Sequence, residues 1–228
     1  MRIPGLFITG TDTGVGKTYV ASLIVRALAR NGFAVGVYKP AASGCSLGEA
    51  GLVSDDAVAL WNAAGRPGDL EHVCPQRFAA PLAPHLAARA EGKQLDAELL
   101  RRGIDYWCSR SDILVVEGAG GLMSPLGEQD YVADVAEEFG FPLVVVSRNV
   151  LGTINQTLQT LIAARAFHAG LPVAGVVLNR VLPPSAEDFS LATNRCELAA
   201  RCPVPILAET LWKADDFDTP IDWHAFAR

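Results

Sequence analysis

Apolar residues along this chain follow two alternating patterns. In the first, nearly every position of a short run is apolar: "GLFITG" (5–10), "AVGVYKP" (34–40), "DILVVEG" (112–118), "PLVVVS" (142–147) and "VAGVVLN" (173–179). "PVPILAE" (203–209) joins them, its prolines confined to the start. Runs this short, rich in Val, Ile, Leu and Phe, predict strands covered on both faces. In the second pattern apolar residues recur every three or four positions. Residues 17–31 put Val20, Leu23, Ile24, Ala27 and Leu28 on one face of a helix, and "NG" at 31–32 ends it. Residues 54–63, 95–108, 131–139, 153–169 and 186–200 predict further helices. The alternation predicts an α/β fold: a mostly parallel sheet, helices on both faces, and right-handed crossovers. No linker or repeat interrupts it. We therefore expect a single domain over 1–228, with a polar, irregular tail over about 213–228 that wraps the surface.

Composition narrows the classes. The chain has 228 residues, half of them hydrophobic and 19% charged, enough for a buried core and too apolar for disorder. A net charge of −6 and the lack of any Lys/Arg-rich run argue against a nucleic-acid partner. No apolar run reaches the length of a membrane span, and the N-terminal segment lacks the pattern of a signal peptide. Five cysteines are scattered without a C-x-x-C pair, which reads as reduced thiols. A cytoplasmic protein without a membrane partner is the expectation.

The first strand runs into "GTDTGVGKT" (10–18), a glycine loop, a lysine and a helix. That is the context of a phosphate-binding loop. Gly14 and Gly16 can take positive φ and carry no Cβ, so backbone N–H groups can turn around a phosphate. Lys17 would lie over the terminal phosphates, Thr18 would offer its hydroxyl to Mg²⁺, and the helix start adds a positive dipole end. The loop is a variant: G-x-x-x-x-G-K-[ST] asks for glycine at position 11, where Thr11 stands. Lys39 closes the second strand in "YKPAASG" (38–44), at the sheet edge that lines ligand crevices. A lysine there can also simply face solvent. Asp56, in "SDDAVAL" (54–60), is either a Mg²⁺ ligand or a partner of the helix dipole, and Asp55 is the neighbouring cap candidate. Glu117 closes an apolar strand, the position of a Walker-B acid, and "EGAGG" (117–121) after it allows backbone to approach a ligand closely. His85 reads as a structural histidine, and Trp61, Trp107 and Trp212 as packing residues.

Together these blocks resemble a known family. "GTDTGVGKT", "YKPAASG", "SDDAVAL", "PLAPHLAA" (81–88), "VVEGAGGLMSPL" (115–126), "VLGTINQTL" (150–158) and "GVVLNRV" (175–181) are similar, in order, to the dethiobiotin synthetases, over most of residues 5–181. The resemblance implies ATP- and Mg²⁺-dependent ring closure of 7,8-diaminononanoate with CO₂, in biotin biosynthesis, by way of a carbamate and a carbamic-phosphoric anhydride. It implies that Gly14, Val15, Gly16, Lys17, Thr18 and Tyr19 cradle the ATP phosphates, with Gly118, Ala119 and Gly120 nearby, and that Thr18, Asp56 and Glu117 hold Mg²⁺. Lys17 and Lys39 would stabilise the carbamate and the moving phosphoryl group. Thr13 and Ser43 would hold the substrate's reacting end, and Gly120, Gly121 and Leu122 would line the diamine. Asn179, followed by Arg180, would read the adenine, although an asparagine there can also simply end a strand. Leu151, Gly152, Thr153, Ile154 and Asn155, at a helix N-terminus of the partner subunit, would bind the substrate carboxylate, so a homodimer is implied. Capping alone would equally explain Thr153. The segment Leu207-Ala208-Glu209 departs from the family's usual Leu-Gly-Glu, which leaves the base contacts open, with Trp212 as a base-edge candidate. A P-loop switch protein acting on DNA or membrane is the main rival. Its loop carries an extra lysine where this chain has Asp12.

Overall fold

The computed structural model describes residues 3–49, 51–183 and 189–227. In chain order, β1 (Gly5–Gly10) leads through the glycine loop into α1 (Lys17–Arg30), and β2 (Val35–Tyr38) follows. An excursion comes next: β3 (Ala41–Ala42), the hairpin of β4 (Ser46–Gly48) and β5 (Gly51–Val53), α2 (Asp55–Ala63), α3 (Leu70–Val73), β6 (Gln76–Arg77), α4 (Pro84–Ala90), α5 (Ala97–Arg102) and α6 (Asp105–Cys108). The chain returns to the sheet with β7 (Ile113–Glu117), then α7 (Val132–Phe139), β8 (Leu143–Arg148), α8 (Thr153–Ala166), β9 (Val173–Asn179), α9 (Asn194–Ala199) and β10 (Ile206–Thr210).

Six strands form the central sheet in the order β10-β9-β8-β1-β7-β2, and each neighbouring pair is parallel. Leu6, Ile8, Val115, Val144, Val145 and Val177 are fully buried, as expected of strands covered on both faces. The first strand sits mid-sheet, between β7 and β8. The chain runs to one side of β1 for β2 and to the other for β8, β9 and β10. The loop after β1 therefore opens at the switch point, where crevices form in such sheets.

Several expected boundaries shift, for reasons outside the local sequence. The second strand stops at Tyr38, because the N–H of Lys39 turns away from the sheet to the carbonyl of Val73, 2.8 Å away. The helix expected over 95–108 is two helices. The hydroxyl of Tyr38 bonds the carbonyls of Leu99 and Leu100 and passes so close to Gly103 that a Cβ there would lie 2.1 Å from it. The helix expected over 153–169 ends at Ala166. Of the one expected over 186–200, residues 186–188 lie outside the described residues, and α9 spans Asn194–Ala199. No helix among the described residues is long and apolar enough to cross a membrane.

The tail departs from a surface wrap at its end. Trp223 is 1% exposed and packs its ring 5.0 Å from that of Phe217, and the N–H of Gly5 bonds the carbonyl of Ala227. Trp107 is equally buried, whereas Trp212 is 38% exposed beside the Lys213 ammonium, so it is no packing residue. Trp223→Ala is expected to cost about 3–5 kcal/mol and to lower the thermal midpoint by roughly 6–20 °C. A change within a degree would return the tail to the surface.

Candidate active site

The glycine loop is shaped by two left-handed residues, Gly14 (φ 72°) and Gly16 (φ 86°). Gly16 is also the N-cap of α1 and offers no side chain, so the first amides of that helix are left for a ligand. Thr11, at the variant position, continues the ladder with its N–H on the carbonyl of Val146, 3.0 Å away. Lys17 is 7% exposed and rests its ammonium on the carbonyl of Asp12, at 3.1 Å. Burial pulls its pKa below that of a free lysine. Glu117 and Asp56 oppose that shift, and Lys39 adds to it.

Lys39 lies just past β2 and is 3% exposed. Its ammonium sits 2.7 Å from Glu117 Oε1 and 2.8 Å from Asp56 Oδ2. Burial alone would lower its pKa, but the two carboxylates outweigh burial and raise it. Asp56 is the reverse case: burial raises its pKa, and Lys39 overcomes this to lower it. The signs agree. The lysine deprotonates only above the ordinary 10.5 and the aspartate protonates only below the ordinary 3.8, so the pair stays ionised across the neutral range. A lysine held cationic in this way stabilises negative charge and is no general base at neutral pH.

The carboxylates are free for this work because neither caps α2. Ser54 does, accepting from the N–H of Ala57, which removes the cap role considered for Asp55. Glu117 Oε1 also accepts the hydroxyl of Thr18, at 2.9 Å. Thr18, Asp56, Glu117 and Lys39 thus meet, with Lys17 close enough for Glu117, Lys39 and Asp56 to act on its charge. Glu117 Oε2 is buried with no partner. Two carboxylates, one of them with an unpartnered buried oxygen, and a hydroxyl form a hard donor set that fits Mg²⁺, and the Lys39 ammonium stands in for a cation between the carboxylates. Among the described residues no cluster of three or more His, Cys, Asp or Glu occurs, so phosphate and water would complete the ion's shell.

Beside this cluster a cavity of about 410 Å³ is lined by Thr13, Ser43, Leu82, Pro84, Gly120 and Pro125, among others. Its hydroxyls stand against prolines and a leucine from "PLAPHLAA", a block to which the sequence assigned no role. Ala119 lines it as well. Gly118 is buried against Val132. Gly121 and Leu122 border a different groove, of about 630 Å³, with Thr11 and Gln156 of α8. None of Leu151, Gly152, Thr153, Ile154 and Asn155 lines either space. Leu151 is 86% exposed, and Gly152 (φ 97°) is the N-cap of α8. Thr153 therefore does not cap the helix. Its hydroxyl is turned inward onto that of Ser147, at 2.7 Å.

At the far side of the loop, the amide of Asn179 is 2% exposed and engaged at both ends, by the carbonyl of Val15 and the hydroxyl of Thr210. Arg180 bonds Glu209, which also takes the amide N–H of Asn149. Tyr19 reaches the tail with its hydroxyl on the carbonyl of Ala214. Sequence reasoning missed Thr210 and Asn149. Their one visible signal is a polar residue immediately beyond or closing an apolar strand.

Comparison with known proteins identifies the family. Residues 4–215 match a family model described as an AAA domain. The chain is 42% identical over 213 residues to the ATP-dependent dethiobiotin synthetase BioD of Rhodopirellula baltica, covering 89% of this chain and 82% of that one. It is 45% identical over 212 residues to the protein of the same name from Anaeromyxobacter dehalogenans, covering 92% and 91%. Against BioD 1 of Escherichia coli O157:H7 the identity is 35% over 210 residues. Among solved structures, the signal recognition particle receptor FtsY of Elizabethkingia anophelis superposes with a TM-score of 0.57 at 12% identity, over 99% of this chain and 64% of that one, a likeness of fold alone. The chain belongs to the ATP-dependent dethiobiotin synthetase family.

Proposed function

We propose that this site closes 7,8-diaminononanoate and CO₂ into the cyclic urea dethiobiotin at the expense of ATP, with Lys39 at the reacting centre. The observation that carries the assignment of roles is the meeting of Lys39, Lys17, Thr18, Asp56 and Glu117 between the phosphate loop and the cavity of Thr13 and Ser43. One substrate amine adds to CO₂, loses a proton and becomes a carbamate. A carbamate is unreactive because oxide leaves poorly. Transfer of the γ-phosphoryl of ATP to the carbamate oxygen gives ADP and a mixed anhydride. The second amine attacks the carbonyl carbon, the C–O bond to phosphate breaks, and the amine's proton is lost.

The chain supplies position and charge. Loop amides of Gly14 to Tyr19 and the Lys17 ammonium hold the phosphates. Lys39, kept cationic by its carboxylates, faces the charge that grows on the carbamate oxygen and the transferred group. Thr13 and Ser43 hold the amine end, and the apolar wall at Leu82 and Pro84 suits the aliphatic chain. Gly120 continues that wall, whereas Gly121 and Leu122 border the neighbouring groove. Thr18, Asp56 and Glu117 would hold Mg²⁺, which would supply charge neutralisation at the phosphates. Arg180, next to the loop-bound Asn179, is the nearer candidate to border the base.

The substrate carboxylate would be met by amides of Leu151 to Asn155 from a second copy of the chain, the role that the family resemblance gives them; they line no part of the cavity in their own chain. A homodimer follows, acting in the cytoplasm on small molecules. The test supplies ATP, Mg²⁺, labelled bicarbonate and diaminononanoate. Acid-stable label in the urea is expected. ATP hydrolysis that ignores the diamine and responds to DNA or lipid would overturn the reading. In the same assay Glu117→Gln should raise the Mg²⁺ requirement at least ~10-fold, and an unchanged Mg²⁺ titration would remove Glu117 from the ion.

A further inference from the structure

We propose that Asn179 and Thr210 form a latch that turns the Val15–Gly16 peptide of the phosphate loop so that its N–H faces the nucleotide phosphates, which makes both positioning residues for ATP. The proposal rests on the reading that ATP occupies this loop.

Three observations carry it. First, Asn179 closes β9 and Thr210 closes β10, and the two are register partners on adjacent parallel strands, so their side chains rise together at the sheet edge. Both are buried, at 2% and 0% exposure. Second, Asn179 Nδ2 donates to the carbonyl of Val15 at 2.9 Å, and the Thr210 hydroxyl donates to Asn179 Oδ1. The carbonyl can only accept, which fixes the amide's orientation. A trans peptide plane sends its N–H opposite to its C=O. Holding the Val15 carbonyl against the β9–β10 edge therefore points the Gly16 N–H away from that edge, into the loop. Third, the amide lies against the spot where a Cβ of Gly16 would be, 2.0 Å from it. The loop's last glycine thus makes room for the latch as well as for its own left-handed φ of 86°.

A base-reading asparagine would present its donor and acceptor to the ligand. Here one N–H and one lone pair are already committed to the protein, and Thr210 supports the amide from behind. The two roles separate with a ligand that has phosphates and no base. The probe is inorganic tripolyphosphate with Mg²⁺, its dissociation constant measured beside that of ATP on the full chain. Thr210→Val should weaken both ligands by the same factor, about 3- to 10-fold. Thr210→Ser, which keeps the hydroxyl, should restore wild-type values. Asn179→Asp, which sets a carboxylate against the Val15 carbonyl, should weaken both at least ~30-fold. At saturating ATP, Thr210→Val should keep its turnover number while its KM for ATP rises, a split that general destabilisation would not give. The latch is overturned if Asn179→Asp weakens ATP but leaves tripolyphosphate within twofold, or if Thr210→Val changes neither ligand. If Asn179→Asp does not fold, Thr210→Val and Thr210→Ser decide alone. Wild-type protein that binds neither ligand would instead sink the nucleotide reading itself.

Discussion

Lys39→Gln is expected to slow ring closure by about 10²- to 10³-fold while the dissociation constant for ATP moves less than about threefold. The asymmetry follows from where the charge sits. Lys17, on α1, stays to hold the phosphates, whereas Lys39 is buried with its ammonium on Glu117 and Asp56, where the reacting end of the substrate is proposed to lie. Glutamine keeps a polar head of similar reach but removes the charge that stabilises the carbamate oxygen and the moving phosphoryl group. Removing Lys39 also leaves the buried Glu117 carboxylate uncompensated, which destabilises a fold by about 3–5 kcal/mol in other settings, while half-exposed Asp56 is screened by solvent. Here Mg²⁺ can take up those carboxylates, so the loss of thermal stability should be recovered on adding the ion. Single-turnover rates, ATP binding and melting with and without Mg²⁺ check the three parts. Normal turnover in the variant would remove Lys39 from the chemistry.

Gly16→Ala should weaken ATP binding by about 2–5 kcal/mol, or ~30- to 4,000-fold. Two costs add at this residue. The backbone is left-handed there, which disfavours any Cβ by roughly 1–2 kcal/mol. The new methyl would also meet Asn179 Nδ2 at 2.0 Å. That neighbour is a buried amide tied at both ends, so it cannot swing aside without breaking its bonds to Val15 or Thr210. Gly14, also left-handed but with open space around it, is the control: Gly14→Ala bears only the backbone cost and should weaken ATP by roughly 5- to 30-fold. Equal effects of the two substitutions would show that the contact with Asn179 does not matter.

Much of the architecture was legible in the chain because buried parallel strands spell themselves out as unbroken apolar runs. The phosphate loop was legible because its shape is set by adjacent residues, and Lys39 and Glu117 because the one follows and the other closes an apolar strand at the crevice. Most of what escaped depends on groups distant in sequence. The break near Gly103 is imposed by Tyr38, 65 residues earlier. The end of the tail, with Trp223 packed on Phe217, is tied to the start of β1 at Gly5, which no local pattern links to it. Ser54 rather than Asp55 caps α2 because its hydroxyl meets the N–H of Ala57, a choice among neighbouring cap formers that composition cannot make. Asn179 looked like a residue for the ligand, and its tie to the loop emerges only when Val15, Asn179 and Thr210 are brought together by the sheet. Leu151 to Asn155 were singled out in the sequence, but their proposed role needs a second chain.

The most direct test of the account follows oxygen. If the carbamate oxygen is phosphorylated at the Lys39 centre, single turnover with ¹⁸O-labelled bicarbonate, ATP, Mg²⁺ and diaminononanoate must deliver one ¹⁸O into each phosphate released, read by mass spectrometry. Phosphate free of label, formed at the same rate as the urea, would contradict it.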